Sequence, residues 1–168
     1  MITRFFFDTE FIDDGKTIEL ISIAVVSHYG EFYAVNQDCD LSRADEWVQK
    51  NVVAKLPVQG SPAWMTKAEI RDRLKRFIQR RQPPYEFWAY FADYDWIVFC
   101  QLFGKMLDLP HGFPHYCCDL KQEMRRQNIP REHLPPIVDE HNALSDARWV
   151  KRVFDGGVGH EWVERVGG

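Results

Sequence analysis

The sequence predicts an α/β fold: a mixed sheet that opens with an antiparallel meander and is flanked by helices. Three observations predict it. Phe5-Phe6-Phe7 is continuously apolar and ends in Asp8-Thr9-Glu10, as a strand buried on both faces does where it leaves the core. Two β-branched or aromatic stretches follow it closely, after which the apolar spacing changes from that of strands to that of helices. Further on, a second aromatic strand feeds directly into a helix, with acids at the junction.

The elements follow in order. Asp14-Gly15 is a turn signal leading into Thr17–Val26, too β-branched to prefer a helix. His28-Tyr29-Gly30-Glu31 turns the chain into a third strand, Phe32–Val35, which completes the meander. Ser42 precedes Asp45 by a capping-box spacing, so a helix is expected to run to about Ala54. Thr66 and Glu69 repeat the signal, and Ile70, Leu74, Phe77 and Ile78 mark the buried face of the helix they open. Its other face carries Lys67, Arg71, Arg73, Lys75, Arg76 and Arg80, read as a solvated surface, with contact to phosphates as the alternative.

Pro83-Pro84 ends that helix, and Glu86–Phe91 is the aromatic strand. It passes through Asp93-Tyr94-Asp95 into a helix that stops near Gly104. A short strand is expected over His115–Cys118, and Asp119 caps a helix from Leu120 to about Gln127. The Pro130–Pro136 segment is a surface connection. The last helix buries Ala143, Leu144, Ala147, Val150 and Phe154 and ends at Asp155-Gly156-Gly157. The expected organisation is a single domain over 1–157 and a tail over 158–168, without internal repeats.

Composition excludes several classes of function. No apolar run is long enough to cross a membrane and the N-terminus has no signal pattern, so the expected location is cytoplasmic. Four cysteines without paired spacing form no disulfide framework. His111, His115, Cys117 and Cys118 cluster in sequence, but adjacent cysteines chelate one zinc ion awkwardly, and buried thiols are the plainer reading. A net charge of −4 makes the whole molecule a poor general polyanion binder.

The chemistry lies in the acids. Asp8 and Glu10 project to one side of a strand end, Asp95 stands at a strand-to-helix junction, and Asp146 lies on the last helix with His141 in the loop or first turn above it. Four carboxylates on one rim suit hard divalent cations, Mg²⁺ or Mn²⁺. Two such ions about 3.5–4 Å apart stabilise both the attacking and the leaving oxygen of a phosphoryl displacement. A neutral histidine beside them is a natural base for the attacking water. Singly, each piece has a bland reading: a solvated loop pair for Asp8 and Glu10, a helix cap for Asp95. The ordered set points to phosphodiester hydrolysis.

Phe7-Asp8-Thr9-Glu10, Tyr94-Asp95 and His141-Asn142-Ala143-Leu144-Ser145-Asp146-Ala147 resemble, in order, the three motifs of the DEDDh 3′-to-5′ exonucleases of RNase H-like fold. Within that family the chain is most similar to the small bacterial polyadenylate-specific 3′-exoribonucleases AS. The stretches that carry this likeness are Asp8–Ile12, Asp14-Gly15, Thr17–Ile23, Leu56-Pro57 and Cys100-Gln101-Leu102. The family's asparagine three residues before the second-motif aspartate is Ala92 here.

The resemblance implies a five-stranded RNase H-like sheet and two ions per active site. Asp8, Glu10 and Asp146 would bind one ion, with Asp8 bridging to a second held by Asp95, and His141 would be the base. It also implies that Thr9, Phe11 and Ile12 grip the terminal nucleotide. Tyr94 and Trp96, with Tyr90 and Trp64, are candidates for stacking on bases. The implied substrate is single-stranded RNA or a 3′ overhang. DNA-directed exonuclease action, binding without catalysis, and hydrolysis of short oligonucleotides only are the competing readings. Homodimerisation, common in the family, is a further expectation.

Overall fold

The computed structural model describes residues 2–158. Its strands are β1 (Thr3–Asp13), β2 (Ile18–Ser27), β3 (Gly30–Asn36), β4 (Trp64–Met65), β5 (Tyr85–Ala89) and β6 (Cys118–Asp119). The helices are α1 (Glu46–Asn51), α2 (Lys67–Ile78), α3 (Ala92–Gln101), α4 (Leu120–Arg126) and α5 (Ala143–Val153). The sheet order is β4-β3-β2-β1-β5-β6. Pairing is antiparallel for β1–β2 and β2–β3, and parallel for β3–β4, β1–β5 and β5–β6. Every strand except β2 therefore ends at the same edge, and α2, α3 and α4 each begin there. Ligands of open α/β sheets gather at such an edge.

The expected meander and strand-to-helix unit are present, but the sheet has six strands instead of five. The addition is β4, two residues long and without any periodicity to reveal it. It is held by main-chain bonds from Val35 to Ala63 (2.8 Å) and from Gln37 to Met65 (2.9 Å).

The core lies on both faces of the sheet. One face packs Phe5, Phe7, Ile23, Val25 and Phe87 against α2 and α3; the other packs Phe6 against Leu120, Met124, Trp149 and Val150. A bulge sits in the β1–β2 ladder: Glu10 opposes Ser22, whereas Phe11 opposes Leu20, leaving Ile21 over. The extra residue inverts the alternation of β2. Leu20 thereby joins Ile23 and Val25 on the first face, and Ile21 meets Ile12 in a separate small cluster with Cys39 and Val52.

Caps account for most helix starts. Thr66 and Glu69 form the expected reciprocal box at α2, and Asp119 caps α4. The helix expected from Ser42 is shorter. Asp40 accepts hydrogen bonds from both the amide and the hydroxyl of Ser42, which instead lies in a single 3-10 turn; Asp45 caps α1, and the helix ends at Asn51. Helix α3 opens without a side-chain cap of its own, from Phe91 in the left-handed region (φ 58°). The Ala92 amide is bonded by Asp119 (2.7 Å), so one carboxylate serves the starts of both α3 and α4.

Among the described residues, no helix is long and apolar enough to cross a membrane. The cations of α2 other than the half-buried Lys67 are exposed, two of them paired within the helix: Arg71 with Asp72 and Arg73 with Glu69. The expected tail lies, from residue 159 onward, outside the described residues.

Candidate active site

Asp8 and Glu10 stand on one face of β1 near the shared edge, with Thr9 between them on the other face. Asp146, in the first turn of α5, meets them there. One carboxylate oxygen from each of these three residues lies within 4.8 Å of the other two. Asp146 accepts a hydrogen bond from the His141 amide on Oδ2 (2.8 Å), while its Oδ1 is buried without any partner. An unsatisfied carboxylate oxygen facing two further acids is a poor arrangement in apolar surroundings. It becomes a good one around a divalent cation that prefers oxygen ligands, and the residues fit such an ion.

Asp95 lies in the first turn of α3 and is buried. Its Oδ1 accepts from both the amide (2.8 Å) and the hydroxyl (2.6 Å) of Thr9. It is therefore positioned from the opposite face of β1, beside the triad and not within it. Asp95 and Asp146 each sit in the first turn of a helix, α3 and α5, where the helix dipole favours negative charge.

Electrostatics agree with the geometry. Burial, followed by the charges of Asp95, Glu10 and Asp146, raises the Asp8 carboxyl well above its ordinary range. Burial and the neighbouring Asp146 and Asp95 push Glu10 up to about 8, against a small opposing effect of Lys55. Burial raises Asp95 to about 6 against the two Thr9 bonds, and Asp146 to about 6 against the His141 amide. Without a cation these groups hold protons that ordinary aspartates have already lost.

His141 is held in an uncommon conformation. It lies at φ 64° and Asp139 at φ 58°, both in the left-handed region, where a non-glycine residue costs about 1–2 kcal/mol. The loop is braced from both ends. Lys55 bonds the Glu140 carbonyl and pairs with Asp139 (3.3 Å), and the Ser145 hydroxyl donates to the Val138 carbonyl. Trp47 meets the imidazole edge to face, with ring centroids 4.8 Å apart. Trp47 and Lys55 escape a reading of the sequence: α1 is too short to mark a face, and a lone lysine carries no pattern.

A groove of about 440 Å³ runs over the acids, with Phe11, Trp47 and Tyr94 among its walls. Phe11 and Tyr94 stack (5.7 Å, 10°), and Tyr94 is exposed. Two expected substrate contacts lie elsewhere. Ile12 is buried against Ile21, Cys39 and Val52 because the bulge brings that cluster beneath it. Trp96 stacks on Phe99 (5.1 Å, 9°) and packs against Phe7 and Phe87, so its ring belongs to the core. Trp64 bonds the Pro57 carbonyl (3.0 Å) and Tyr90 packs on Trp149. The Cys117 thiol donates to the Phe87 carbonyl, and the metal-compatible cluster among the described residues is the acidic one, not the His/Cys stretch.

Thr9→Val keeps the shape of the side chain and removes the hydroxyl donor to Asp95. Metal affinity, read from the Mg²⁺ dependence of activity, is expected to fall about 10–100-fold, as it does when an outer-shell partner is lost. An unchanged Mg²⁺ titration would show that Asp95 needs no such support.

Residues 3–156 match a model of the 3′-5′ exoribonuclease Rv2179c-like domain. The chain belongs to this family. The 3′-5′ exoribonuclease Rv2179c of Mycobacterium tuberculosis (strain H37Rv) is 43% identical over 154 residues, 90% of each chain, and its counterpart in strain CDC 1551 matches equally. Among solved structures, S. pombe Pop2p in its Mg²⁺- and Mn²⁺-bound form aligns with a TM-score of 0.52 at 13% identity, covering 90% of this chain and 81% of that one. Cell-death related nuclease 4 (CRN-4) aligns at 0.50 and 14% identity, covering 92% and 64%. At such identities the likeness is one of fold: the RNase H-like nuclease architecture expected from the sequence.

Proposed function

We propose that the protein removes nucleotides one at a time from the 3′ end of single-stranded RNA or of a 3′ overhang, using two Mg²⁺ or Mn²⁺ ions. The carrying observation is the Asp8, Glu10 and Asp146 cluster, one oxygen of each within 4.8 Å of the others, with the Asp146 Oδ1 buried and unpartnered. Asp8, Glu10 and Asp146 would hold one ion, and Asp8 with Asp95 the second. Bound there, the ions supply the positive charge that a five-coordinate phosphorus and a departing alkoxide require.

The chain's own groups do the rest. Phe11 and Tyr94 offer the terminal base an aromatic platform, and Thr9 holds Asp95 while its backbone borders the groove. The His141 imidazole, fixed by Trp47 and the Lys55-braced loop, takes a proton from the attacking water. The water oxygen bonds to phosphorus and the bond to the 3′-oxygen of the preceding nucleotide breaks. A 5′-mononucleotide leaves, and the 3′-oxygen takes a proton from solvent, which gives the shortened chain a new 3′-hydroxyl; His141 returns its proton to solvent. DNA cleavage and homodimerisation draw no support from the geometry.

The test uses 5′-labelled single-stranded RNA and DNA of one sequence, each with Mg²⁺ or with EDTA. The expected result is a ladder shortening from the 3′ end, faster on RNA and absent in EDTA. Internal fragments, or cleavage that survives chelation, would refute it.

A further inference from the structure

A second groove, of about 510 Å³, adjoins the first and shares Asp8, Tyr90, Phe91, His141 and Asp146 with it. The acids therefore stand where two grooves meet, and the two differ in charge. No lysine or arginine lines the first; beyond the shared Asp8 and Asp146 it carries Glu10, Asp13, Asp45 and Asp95. Lys121 and Arg131 line the second, where Glu140 is the one acid not belonging to the catalytic set. Neither cation has an ion-pair partner among the described residues, and Arg131 is exposed.

A nucleic acid ending at the cleavage site is asymmetric in the same sense. The terminal nucleoside on its 3′ side presents hydroxyls and no further phosphate, so carboxylates are tolerated there as acceptors. Every nucleotide on the 5′ side adds a phosphate, and single-strand binding needs cations along that path. We propose that the second groove is the track for the nucleotides 5′ of the scissile phosphate, with Lys121 and Arg131 holding their phosphates. This rests on the exonuclease reading and gives the substrate its direction across the site.

The track is built in advance. Its outer wall is the Leu134–Ile137 stretch, with Pro135-Pro136 inside it, and the Trp149 indole ties that wall to α5 through the Pro135 carbonyl (2.8 Å). Lys121 enters from the first turn of α4, whose start is fixed by Asp119. Proline stiffens the wall in the free protein, so little ordering remains for binding.

The test is the double variant Lys121→Ala/Arg131→Ala, assayed on a single-stranded RNA of about ten nucleotides and on a nitrophenyl ester of a nucleoside 5′-monophosphate. The ester reaches only the first groove and reads the chemistry. KM for RNA is expected to rise about tenfold, and the slope of log affinity against log salt to flatten by about 1.4, two phosphate contacts at about 0.7 each. Turnover of the ester should keep its wild-type rate. An unchanged KM and salt slope on RNA would overturn the assignment, as would an ester rate falling in step with the RNA rate. RNA binding by fluorescence anisotropy in Ca²⁺ reads the groove without turnover. If the wild type binds RNA and cleaves nothing, the exonuclease reading fails, and the variant's binding still decides the track.

Discussion

Asp8→Asn is expected to lower turnover by at least about 10³-fold, roughly 4 kcal/mol of transition-state stabilisation, while making the metal-free protein more stable. Both effects follow from the position of Asp8 among Glu10, Asp146 and Asp95, all three of which act on its charge. It is the carboxylate that would bridge two ions, so its loss removes ligation from both. In the metal-free protein it is a half-buried acid among three others, and desolvation is the largest cause of its raised pKa.

Asp8 and Glu10 retain protons on folding that the unfolded chain releases near pH 4. The folded state therefore binds more protons over that interval, and stability falls as pH rises from the unfolded value through the folded one. For Glu10 the interval runs from about 4.5 to about 8. Asparagine at position 8 cannot ionise. The variant should melt at least roughly 2–4 °C above wild type at pH 8 in EDTA, the equivalent of about 1 kcal/mol for a chain of this size. Added Mg²⁺ should raise the melting temperature of wild type and leave that of the variant largely unmoved. A variant that melts lower than wild type in EDTA would mean that Asp8 is not under repulsion.

His141→Ala is expected to separate catalysis from metal binding. Loss of a general base costs about 10²–10⁴ in kcat. The main chain at position 141, which donates to Asp146, survives the substitution. The Mg²⁺-induced rise in melting temperature and the affinity for RNA should therefore persist while kcat collapses. The comparison with Trp47→Ala is informative, because Trp47 touches the imidazole and not the acids. A smaller loss of kcat there, with metal response intact, would mark Trp47 as a positioning residue. Equal loss of metal response in His141→Ala would instead place its effect on the loop.

Much of this was legible in the sequence, for identifiable reasons. Phe5–Glu10 reads as a buried strand because its apolar run and its carboxylates are contiguous. Thr66 with Glu69, and Asp119, announce helix starts because the side chain and the amide it binds are three residues apart. Asp8, Glu10, Asp95 and Asp146 were visible because each follows or opens an apolar element. What stayed hidden depends on partners far along the chain. The β-bulge at Ile21 is invisible in a run of ten apolar and polar residues, yet it decides that Ile12 is core. Trp96 looked like a stacking residue because its neighbours are acids, but its ring turns inward to Phe7 and Phe99. Lys55 and Trp47 reach His141 across more than eighty positions of sequence.

The site joins two parts of the protein that move on different clocks. Strand β1 pairs with β2 along nearly its whole length and with β5 over Thr3–Phe6, so it lies inside the sheet. Asp8 and Glu10 face Ala24 and Ser22 of β2, itself held on its other side by β3, and are expected to keep their places until the sheet opens. His141 rides on a loop whose exposed residues are tied down by a lysine, a serine and a tryptophan edge, contacts that break and re-form far faster. On the proposed mechanism, the residence time of an ion is expected to follow the sheet, and the rate of turnover the loop.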